Sequence, residues 1–256
     1  CMQVNESNLQ SNLVESEQNV VLCMKWGTKY GADYVNRLYN MVKRHTTVDF
    51  KMVCLTDRTE GINPEVQCFP IPSLALPEGS PERGWNKLST FEPDLYGLKG
   101  NLLFLDLDVV IVDNIDDFFT YPGEFLIIHD WKRPWRVTGN SSVYRFKLGT
   151  FPDILTYFRE NFEEISQKFR NEQEYLSWYV DDKKKLSYWP KDWCKSYKYH
   201  CLQSIPLAYF KPPKKPQNAK IIIFHGEINP PDAVSGGGGK WYRYILPSDW
   251  IKDAWQ

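Results

Sequence analysis

The sequence predicts an α/β domain in which helices flank a mixed, mostly parallel central sheet. Short apolar runs typical of buried strands recur along the 256 residues, and an amphipathic stretch separates the first two. Parallel strands need a crossover between them, which a helix usually provides. The chain shows neither an internal repeat nor a clear linker. These observations favour a single domain, for which a chain of this length can bury a sizeable core.

The strands are predicted from continuous apolar runs, because strands covered on both faces lack alternation. The helices are predicted where apolar residues recur every three or four positions. In chain order, the predicted elements are a strand at 19–24, a helix at 33–44, strands at 51–55 and 65–71, a helix at 85–91, strands at 101–105 and 109–112, a helical turn at 115–119, strands at 125–128 and 140–145, helices at 152–161 and 171–179, and a strand at 221–224. An irregular segment rich in Lys, Trp, Tyr and Pro is predicted at 181–216.

Charge and hydropathy exclude several classes of partner. Lys and Arg number 31, Asp and Glu number 32, and the formal net charge is −1. No chain-wide field attracts DNA, RNA or an anionic membrane, so we expect no nucleic-acid partner. No apolar run approaches the roughly 18 residues of a membrane span. Residues 1–18 are polar and acidic, which predicts a disordered tail ahead of the domain.

The cysteines predict a reducing compartment. Six cysteines are few for this length, and Cys23 and Cys54 lie inside apolar runs, where a free thiol behaves as a small hydrophobic side chain. Cys194 and Cys201 have no second pair nearby, so a zinc site is not expected. We therefore expect a cytoplasmic protein, with peripheral contact at the inner face of a membrane as the open alternative.

Aromatic residues are frequent, at 15% of the chain, and eight of the ten tryptophans follow residue 130. A large, irregular core accounts for such an excess, although each buried indole N–H needs a partner. Flat surfaces on which sugars or bases stack account for it equally well. The sequence leaves both interpretations open.

The strongest chemical signal is a pair of carboxylates two positions apart. Asp106 and Asp108 follow the apolar strand at 101–105, so they lie at the carboxyl edge of the sheet, where open α/β sheets bind ligands. Alternation along a strand places both side chains on the same side. Two converging carboxylates suit Mg²⁺ or Mn²⁺ together with ligand phosphates. The alternative is that the two aspartates only end a strand and cap a turn.

A second strand end carries another metal-binding residue type. His225 follows the apolar run at 221–224 directly, and Gly226 beside it lets a ligand approach the backbone. Imidazole and carboxylates together are a reasonable ligand set for Mn²⁺. A hydrogen-bonded structural histidine is the alternative.

In their order along the chain, these motifs resemble those of metal- and nucleotide-sugar-dependent glycosyltransferases of the GT-A fold. The similarity is to the family 8 group, which includes glycogenin and bacterial lipopolysaccharide galactosyltransferases, and it spans about residues 19–245. It rests on Lys25-Trp-Gly-Thr28, Trp85-Asn-Lys87, Leu103-Phe-Leu-Asp-Leu-Asp-Val-Val110, Asn140-Ser-Ser142 and Phe224-His-Gly226. The resemblance implies a Rossmann-like GT-A domain at 19–256, with a nucleotide-sugar and metal-binding half at 19–112 and an acceptor-binding half at 113–256.

The resemblance also implies roles for individual residues. Asp106, Asp108 and His225 would hold one Mn²⁺ or Mg²⁺ at the diphosphate of the donor, which is expected to be a UDP-sugar. The residues implied in cofactor and donor binding are Lys25, Trp26, Gly27, Thr28, Tyr30, Asp57, Lys87, Asp106, Gly226 and Lys240. Those implied in binding the transferred sugar or a carbohydrate or glycoconjugate acceptor are Trp85, Trp131, Asn140, Ser141 and Trp193. The catalytic candidates are Gln173, near the reacting carbon, with Glu172 and Asp130.

Two positions depart from the family pattern. Glu172 stands where the family usually has Asp, and Asn229 stands where it has a Lys that holds the diphosphate. Lys240, after four glycines, is the candidate replacement for that lysine. The resemblance implies that the anomeric configuration is retained. If the enzyme inverts it instead, Glu172, Glu174 or Asp130 is the candidate base.

Three other functions remain open. A haloacid dehalogenase-type phosphatase would use Asp106 as nucleophile, although its motif normally lies on the first strand. A sugar nucleotidyltransferase would need an early glycine-rich basic loop, of which residues 25–31 are a poor version. A carbohydrate-binding domain without turnover fits the two departures. With a lipid-linked acceptor, the lysine- and proline-rich residues 211–216 are a candidate membrane contact.

Overall fold

The order of the strands decides which parts of the chain meet. The structure, a computed structural model, describes residues 17–237 and 244–256. Its strands are β1 (Asn19–Lys25), β2 (Lys51–Thr56), β3 (Gln67–Phe69), β4 (Asn101–Leu105), β5 (Val110–Ile111), β6 (Phe125–His129), β7 (Gly139–Lys147), β8 (Leu186–Tyr188), β9 (Cys194–Ser196) and β10 (Ile221–Ile223). They form a seven-stranded sheet in the order β3-β2-β1-β4-β7-β6-β8 and a three-stranded sheet in the order β5-β10-β9.

Helices of three types connect the strands. The α-helices are α1 (Ala32–Arg44), α2 (Asp117–Thr120), α3 (Pro152–Glu160), α4 (Phe162–Lys168), α5 (Glu172–Asp182), α6 (Pro230–Ser235) and α7 (Asp249–Ala254). Two 3₁₀ helices lie at Trp85–Phe91 and Leu207–Tyr209, and a π-helix lies at Tyr197–Cys201. Within the described ranges, no helix combines the length and the apolar character that crossing a bilayer requires.

Six strands of the larger sheet run parallel, and β7 runs against both of its neighbours. In the centre of the sheet, Val21 of β1 pairs with Met52 of β2 and with Leu103 of β4. Because β7 is antiparallel, its first residues lie at the edge where β1, β2 and β4 end. This arrangement confirms the predicted mixed, mostly parallel sheet.

The strands alternate between two hydrophobic clusters, one on each face of the larger sheet. On one face, Val21 and Cys23 of β1 pack in a cluster with Val35 of α1 and the smaller sheet. On the other face, Leu22 packs in a cluster with Phe158 of α3 and several residues of α5. Both clusters rest on the same sheet, so the chain forms one domain with helices on both sides, as predicted.

The differences from the predicted elements fall on short segments. The stretch Trp85–Phe91 forms a 3₁₀ helix instead of an α-helix and follows Gly84, whose φ of 77° is left-handed. The segment 181–216, predicted to be irregular, contains β8 and β9, because three residues are too few to show a period. α4, α6 and α7 are also additional to the prediction. α6 begins with two prolines behind a capping box formed by Asn229 and Asp232.

The predicted tail ends earlier than expected. Its residues 1–16 lie outside the described ranges. Gln18 already belongs to the fold, because its carbonyl oxygen accepts a hydrogen bond from the Asn101 N–H at 2.8 Å. This contact extends the pairing beside the start of β4.

Arg145 of β7 anchors the chain that follows α2, and its replacement tests this part of the fold. The guanidinium donates to the carbonyl oxygens of Phe118, Tyr121 and Gly123 at 2.8, 2.6 and 3.0 Å. We expect Arg145→Met to lower the free energy of unfolding by about 2–4 kcal/mol, because these carbonyl groups lose their donor. Lys147→Met, at a side chain that is 56% exposed, is the control and should change it by less than about 0.5 kcal/mol. Urea denaturation measures the free energy of unfolding of both variants. Equally small changes in the two would contradict the prediction.

Candidate functional site

Asp106 and Asp108 occupy the short loop between β4 and β5, at the carboxyl edge of the larger sheet. The Asp106 N–H donates to the carbonyl oxygen of Ser142 on β7 at 2.9 Å, which extends the strand pairing by one residue. The Val109 N–H then closes a turn on the Asp106 carbonyl oxygen at 3.5 Å. The neighbouring strand therefore holds the loop at the edge of the sheet where the sequence predicts it.

Lys87, from the first 3₁₀ helix, neutralises the first aspartate. Its Nζ lies 2.7 Å from Asp106 Oδ1 and donates to the carbonyl and hydroxyl oxygens of Ser141, both at 3.2 Å. Burial lowers the pKa of Lys87, but the charges of Asp106 and Glu172 outweigh it and hold that pKa above its usual value. The ammonium therefore stays charged near neutral pH.

Asp108 is the less well neutralised carboxylate of the pair. It accepts a hydrogen bond from the Tyr30 hydroxyl at 2.8 Å, and the same hydroxyl lies 3.3 Å from Asn229 Oδ1. Burial and the charge of Asp106 raise the pKa of Asp108 to about 6, although Tyr30 and Lys87 act in the opposite direction. The two carboxylates thus repel each other in a partly dry site, and a bound cation would relieve that repulsion.

A cavity of about 230 Å³ adjoins the aspartates. The loop after β1 forms one wall, in which the Gly27 N–H donates to Asp57 Oδ2 at 3.1 Å and so ties this loop to the end of β2. Gly27 has a left-handed φ of 65°, which this turn requires. The cavity is lined by Met24, Lys25, Trp26, Lys29, Tyr30, Phe104, Asp106, Leu107 and Asp108.

His225 directly follows Phe224 at the end of β10, but its ring faces β9 and the π-helix. Its Nε2 lies 2.6 Å from Ser196 Oγ. Its ring stacks on Trp131 with centroids 5.9 Å apart and meets Tyr199 at 5.0 Å. Burial, followed by the charge of Lys198, lowers the pKa of His225. The imidazole is therefore neutral near pH 7.

The two aspartates fit a divalent cation, and the third predicted ligand does not lie with them. Asp106 and Asp108 offer carboxylate oxygens from one loop, which is the donor type that Mg²⁺ and Mn²⁺ prefer. Across residues 17–237 and 244–256, no three His, Cys, Asp or Glu side chains gather closely enough to form a metal site. His225 is instead hydrogen-bonded to Ser196. Its role as a ligand stays a prediction.

The start of β7 is tied to the first turn of α5. Gln173 Oε1 accepts a hydrogen bond from the Ser141 N–H at 3.2 Å. Asn140 Oδ1 accepts one from the Ser142 N–H at 2.9 Å. Because Ser141 also accepts from Lys87, these predicted site residues meet beside the aspartates although they come from distant parts of the chain.

Glu172 is a buried carboxylate with incomplete hydrogen bonding. It is 4% exposed, and its Oε1 has no hydrogen-bond partner within the described part of the chain. Its Oε2 lies beside Gly84, where an added Cβ would be 3.2 Å away. Burial raises the pKa of Glu172, while the charge of Lys87 acts against that shift. Burial thus disfavours the charged form of a carboxyl group whose charge would interact with the lysine of the site.

A second cavity, of about 210 Å³, lies beyond the end of β6. Trp131 lies between this cavity and His225, and its Nε1–H donates to the Cys194 carbonyl oxygen at 3.2 Å. Asp130 is half-buried and accepts a hydrogen bond from the Lys132 N–H at 3.0 Å. The cavity is lined by Ile128, His129, Asp130, Trp131, Pro134, Trp189, Pro190, Lys191, Cys194, Lys195 and His200.

The structure contradicts the substrate contact predicted for Trp85. This side chain is 2% exposed and packs on Phe158 with ring centroids 5.1 Å apart, so it offers no face to a ligand. The apolar spacing around Trp85 marks a core-facing turn. Trp193 is half-buried and also packs within the protein, on Phe118 at 4.9 Å and Tyr121 at 5.1 Å.

Three further predicted residues are placed as follows. Thr28 is exposed on the loop after β1. Gly226 has a left-handed φ of 83°, and an added Cβ would meet no atom within 4 Å, so the backbone there is open to a ligand. Lys240 lies outside the described residues.

Other residues at the site escape prediction. Ser196 and Tyr199 lie in a segment without periodicity, so nothing in the sequence connects them to His225. Asn229 stands out only as a departure from the family pattern, and its link to Tyr30 appears only in three dimensions. Lys29 could have been predicted as a donor-binding residue, because it lies inside the predicted donor loop.

Solved glycosyltransferases share this fold. The galactosyltransferase LgtC, solved with donor and acceptor sugar analogues, is 11% identical with a TM-score of 0.58, over 82% of this chain and 88% of LgtC. The glycosyltransferase GlyE of Streptococcus pneumoniae is 12% identical with a TM-score of 0.57, over 93% of this chain and 60% of GlyE. The bifunctional glycosyltransferase WbbM is 12% identical with a TM-score of 0.53, over 86% of this chain and 48% of WbbM. At these identities the likeness shows the fold, and it confirms the predicted GT-A architecture. No protein-family model and no curated protein matches the sequence.

Glu172→Gln is expected to stabilise the protein near pH 7. Burial raises the pKa of Glu172, so this carboxyl ionises at a lower pH in the unfolded chain than in the folded chain. Ionisation therefore lowers the free energy of unfolding. The gain should vanish below about pH 4, where both states are protonated, and grow as the pH rises toward the folded pKa. We expect a rise in Tm of about 2–4 °C at neutral pH.

Glu174→Gln is the matched control, with the opposite sign. Burial raises the pKa of Glu174, but Arg170, whose Nε lies 2.6 Å from Oε1, outweighs burial and holds that pKa below its usual value. Its neutralisation should therefore lower the Tm near pH 7. Thermal unfolding of both variants and the unchanged protein across this pH range measures the two effects. A Tm for Glu172→Gln below that of the unchanged protein at pH 7 would contradict the prediction.

Proposed function

We propose that the chain is a metal-dependent glycosyltransferase that moves a sugar from a nucleotide sugar to a carbohydrate or glycoconjugate acceptor. The position of Asp106 and Asp108 carries this proposal. They form a mutually repelling carboxylate pair at the carboxyl edge of the sheet, beside a cavity and the charged Lys87. The fold shared with LgtC and GlyE supports the reaction class.

The cavity beside the aspartates is the proposed donor site. The rings of Trp26 and Tyr30 line it and offer flat faces on which a nucleobase can stack. Lys25 and Lys29 line the same cavity and bring positive charge to the phosphates. We propose a UDP-sugar as donor, because the loop after β1 resembles the corresponding loop of the family 8 glycosyltransferases.

Asp106 and Asp108 are the proposed ligands of Mn²⁺ or Mg²⁺, which when bound supplies Lewis-acid stabilisation to the diphosphate. Lys87 Nζ lies 2.7 Å from Asp106 Oδ1 and balances the negative charge of that carboxylate. Tyr30 orients Asp108 by donating to its Oδ2. His225 remains the predicted third ligand, and to join the pair it would have to give up its hydrogen bond to a buried serine.

The proposed transfer breaks the bond between the anomeric carbon and the diphosphate oxygen, whose electron pair leaves with the nucleoside diphosphate. The acceptor hydroxyl oxygen forms the new bond to the anomeric carbon, and its proton passes to the departing diphosphate oxygen. Because negative charge grows on the leaving group, the ammonium groups of Lys87 and Lys29 stabilise the transition state more than the ground state. Ser141 contacts Lys87, and Gln173 bonds Ser141; with the neighbouring Asn140, these residues are proposed to orient the transferred sugar. We propose retention of configuration, as the resemblance implies.

The second cavity is the proposed acceptor site. Sugar rings have apolar C–H faces that pack on aromatic side chains such as Trp131, while their hydroxyl groups need polar neighbours. Asp130 and Lys191 line the same cavity and provide such neighbours. If the acceptor is lipid-linked, the protein works at a membrane surface.

Asp108→Asn tests the proposed function. With a panel of UDP- and GDP-sugars and Mn²⁺, we expect the unchanged protein to release nucleoside diphosphate and the variant to lose about 100-fold or more in rate, because a charged metal ligand is removed. EDTA should abolish release from the unchanged protein. Asp113→Asn, at an exposed aspartate after β5, is the matched control and should keep the rate.

The outcomes of this experiment separate the alternatives. Donor binding without release would indicate a carbohydrate-binding domain that lacks turnover. Release of inorganic phosphate from sugar phosphates would indicate a phosphatase. If the protein neither binds nor cleaves any common donor, that result contradicts the proposed function.

A further inference from the structure

An exposed apolar turn lies far along the chain from the aspartates. Ten large hydrophobic side chains are exposed among the described residues, and four of them fall within residues 205–210. Phe210 is 80% exposed and Ile205 is 55% exposed. Leu207 and Tyr209 are also exposed, and the Tyr209 ring stacks on that of Tyr244. Such clustering on the surface of a globular domain marks an interaction site.

The same segment is strongly basic. Between Asp192 and Glu227 the chain has six lysines and no acidic residue, although its overall net charge is −1. Lys211 follows the apolar turn directly, and Lys214 and Lys215 follow two prolines later; all three are exposed. Lys215 Nζ also donates to the Val112 carbonyl oxygen at 3.4 Å. The turn and these three lysines together form what we call the basic apolar surface.

The basic apolar surface rests on ordered contacts. Ala208 is buried beneath the turn, and the Phe210 N–H donates to the Leu207 carbonyl oxygen at 3.0 Å. The Lys214 N–H donates to the Cys201 carbonyl oxygen at 2.9 Å. The Trp250 indole N–H donates to the carbonyl oxygen of Pro213 at 3.0 Å. The exposed side chains are thus presented from a fixed base.

We propose that the basic apolar surface docks the protein on an anionic phospholipid bilayer. Apolar and aromatic side chains gain free energy when they enter the headgroup region. Lysines next to them gain from the negative potential of anionic lipids. Both halves of the surface match this one occupant, because an anionic bilayer offers an apolar interior to the turn and negatively charged headgroups to the lysines.

The surface is connected to the His225 side of the candidate site through the π-helix. Cys201, which bonds the chain at Lys214, ends the π-helix that carries Tyr199, and the Tyr199 ring lies 5.0 Å from that of His225. The docking itself does not depend on the transfer reaction, so it is tested without a sugar nucleotide.

Sedimentation with vesicles tests the proposal on the full chain. We expect binding to vesicles of phosphatidylcholine mixed with phosphatidylglycerol, weak binding to phosphatidylcholine alone, and weaker binding as salt rises. Ile205→Ser combined with Phe210→Ser should reduce binding by at least about 10-fold. Replacing Lys211, Lys214 and Lys215 by Gln should reduce binding to the anionic vesicles by roughly 100-fold.

The exposed run Lys183, Lys184 and Lys185 provides a matched control, because its replacement by Gln removes the same charge elsewhere. This control should bind as the unchanged protein does, and an equal loss would show attraction by overall charge and overturn the proposal. Binding unaffected by the Ile205 and Phe210 replacements would overturn it too. The proposal would also be overturned if the unchanged protein does not bind vesicles but forms dimers, and Phe210→Ser abolishes those dimers. Far-UV circular dichroism and nucleotide release without vesicles show separately whether each variant is folded and whether the proposed reaction occurs.

Discussion

The arrangement of the candidate site depends on the ion pair between Lys87 and Asp106. It joins the first 3₁₀ helix to the end of β4, and Ser141 extends the connection to β7. The charge of Glu172, at the start of α5, also acts on the same ammonium. Four elements that are distant in sequence therefore meet at one cation, whose side chain is only 12% exposed. At that exposure, salt and water screen the pair much less than they would on an open surface.

The reversed direction of β7 explains why these groups meet. Had β7 run parallel to β4, its first residues would lie at the opposite edge of the sheet. Because it runs antiparallel, Ser142 pairs with the backbone of Asp106, and Ser141 and Asn140 follow at the same edge. The antiparallel strand thus brings Asn140 and Ser141 to the same edge of the sheet as the two aspartates that follow β4.

Much of this arrangement is predictable from sequence, and the exceptions share a physical cause. Asp106 and Asp108 are predictable because a polar pair after an apolar strand has only one place in a parallel sheet. The burial of Trp85 is not predictable, because an apolar residue at helical spacing fits a core and a binding face equally well. Only the packing in three dimensions distinguishes the two. The contact between His225 and Ser196 is not predictable either, because short strands and a π-helix leave no period in the sequence.

Glu172 and Gly84 illustrate how the site restricts sequence change. Gly84 combines a left-handed backbone with a position beside the Glu172 carboxylate, and an added Cβ would lie 3.2 Å from that carboxylate. Any larger residue at 84 strains the backbone and displaces the acidic group next to Lys87. Shortening the acid to Asp would withdraw the carboxylate from that glycine. A larger residue at 84 and a shorter acid at 172 therefore disturb the same contact beside Lys87 from opposite sides.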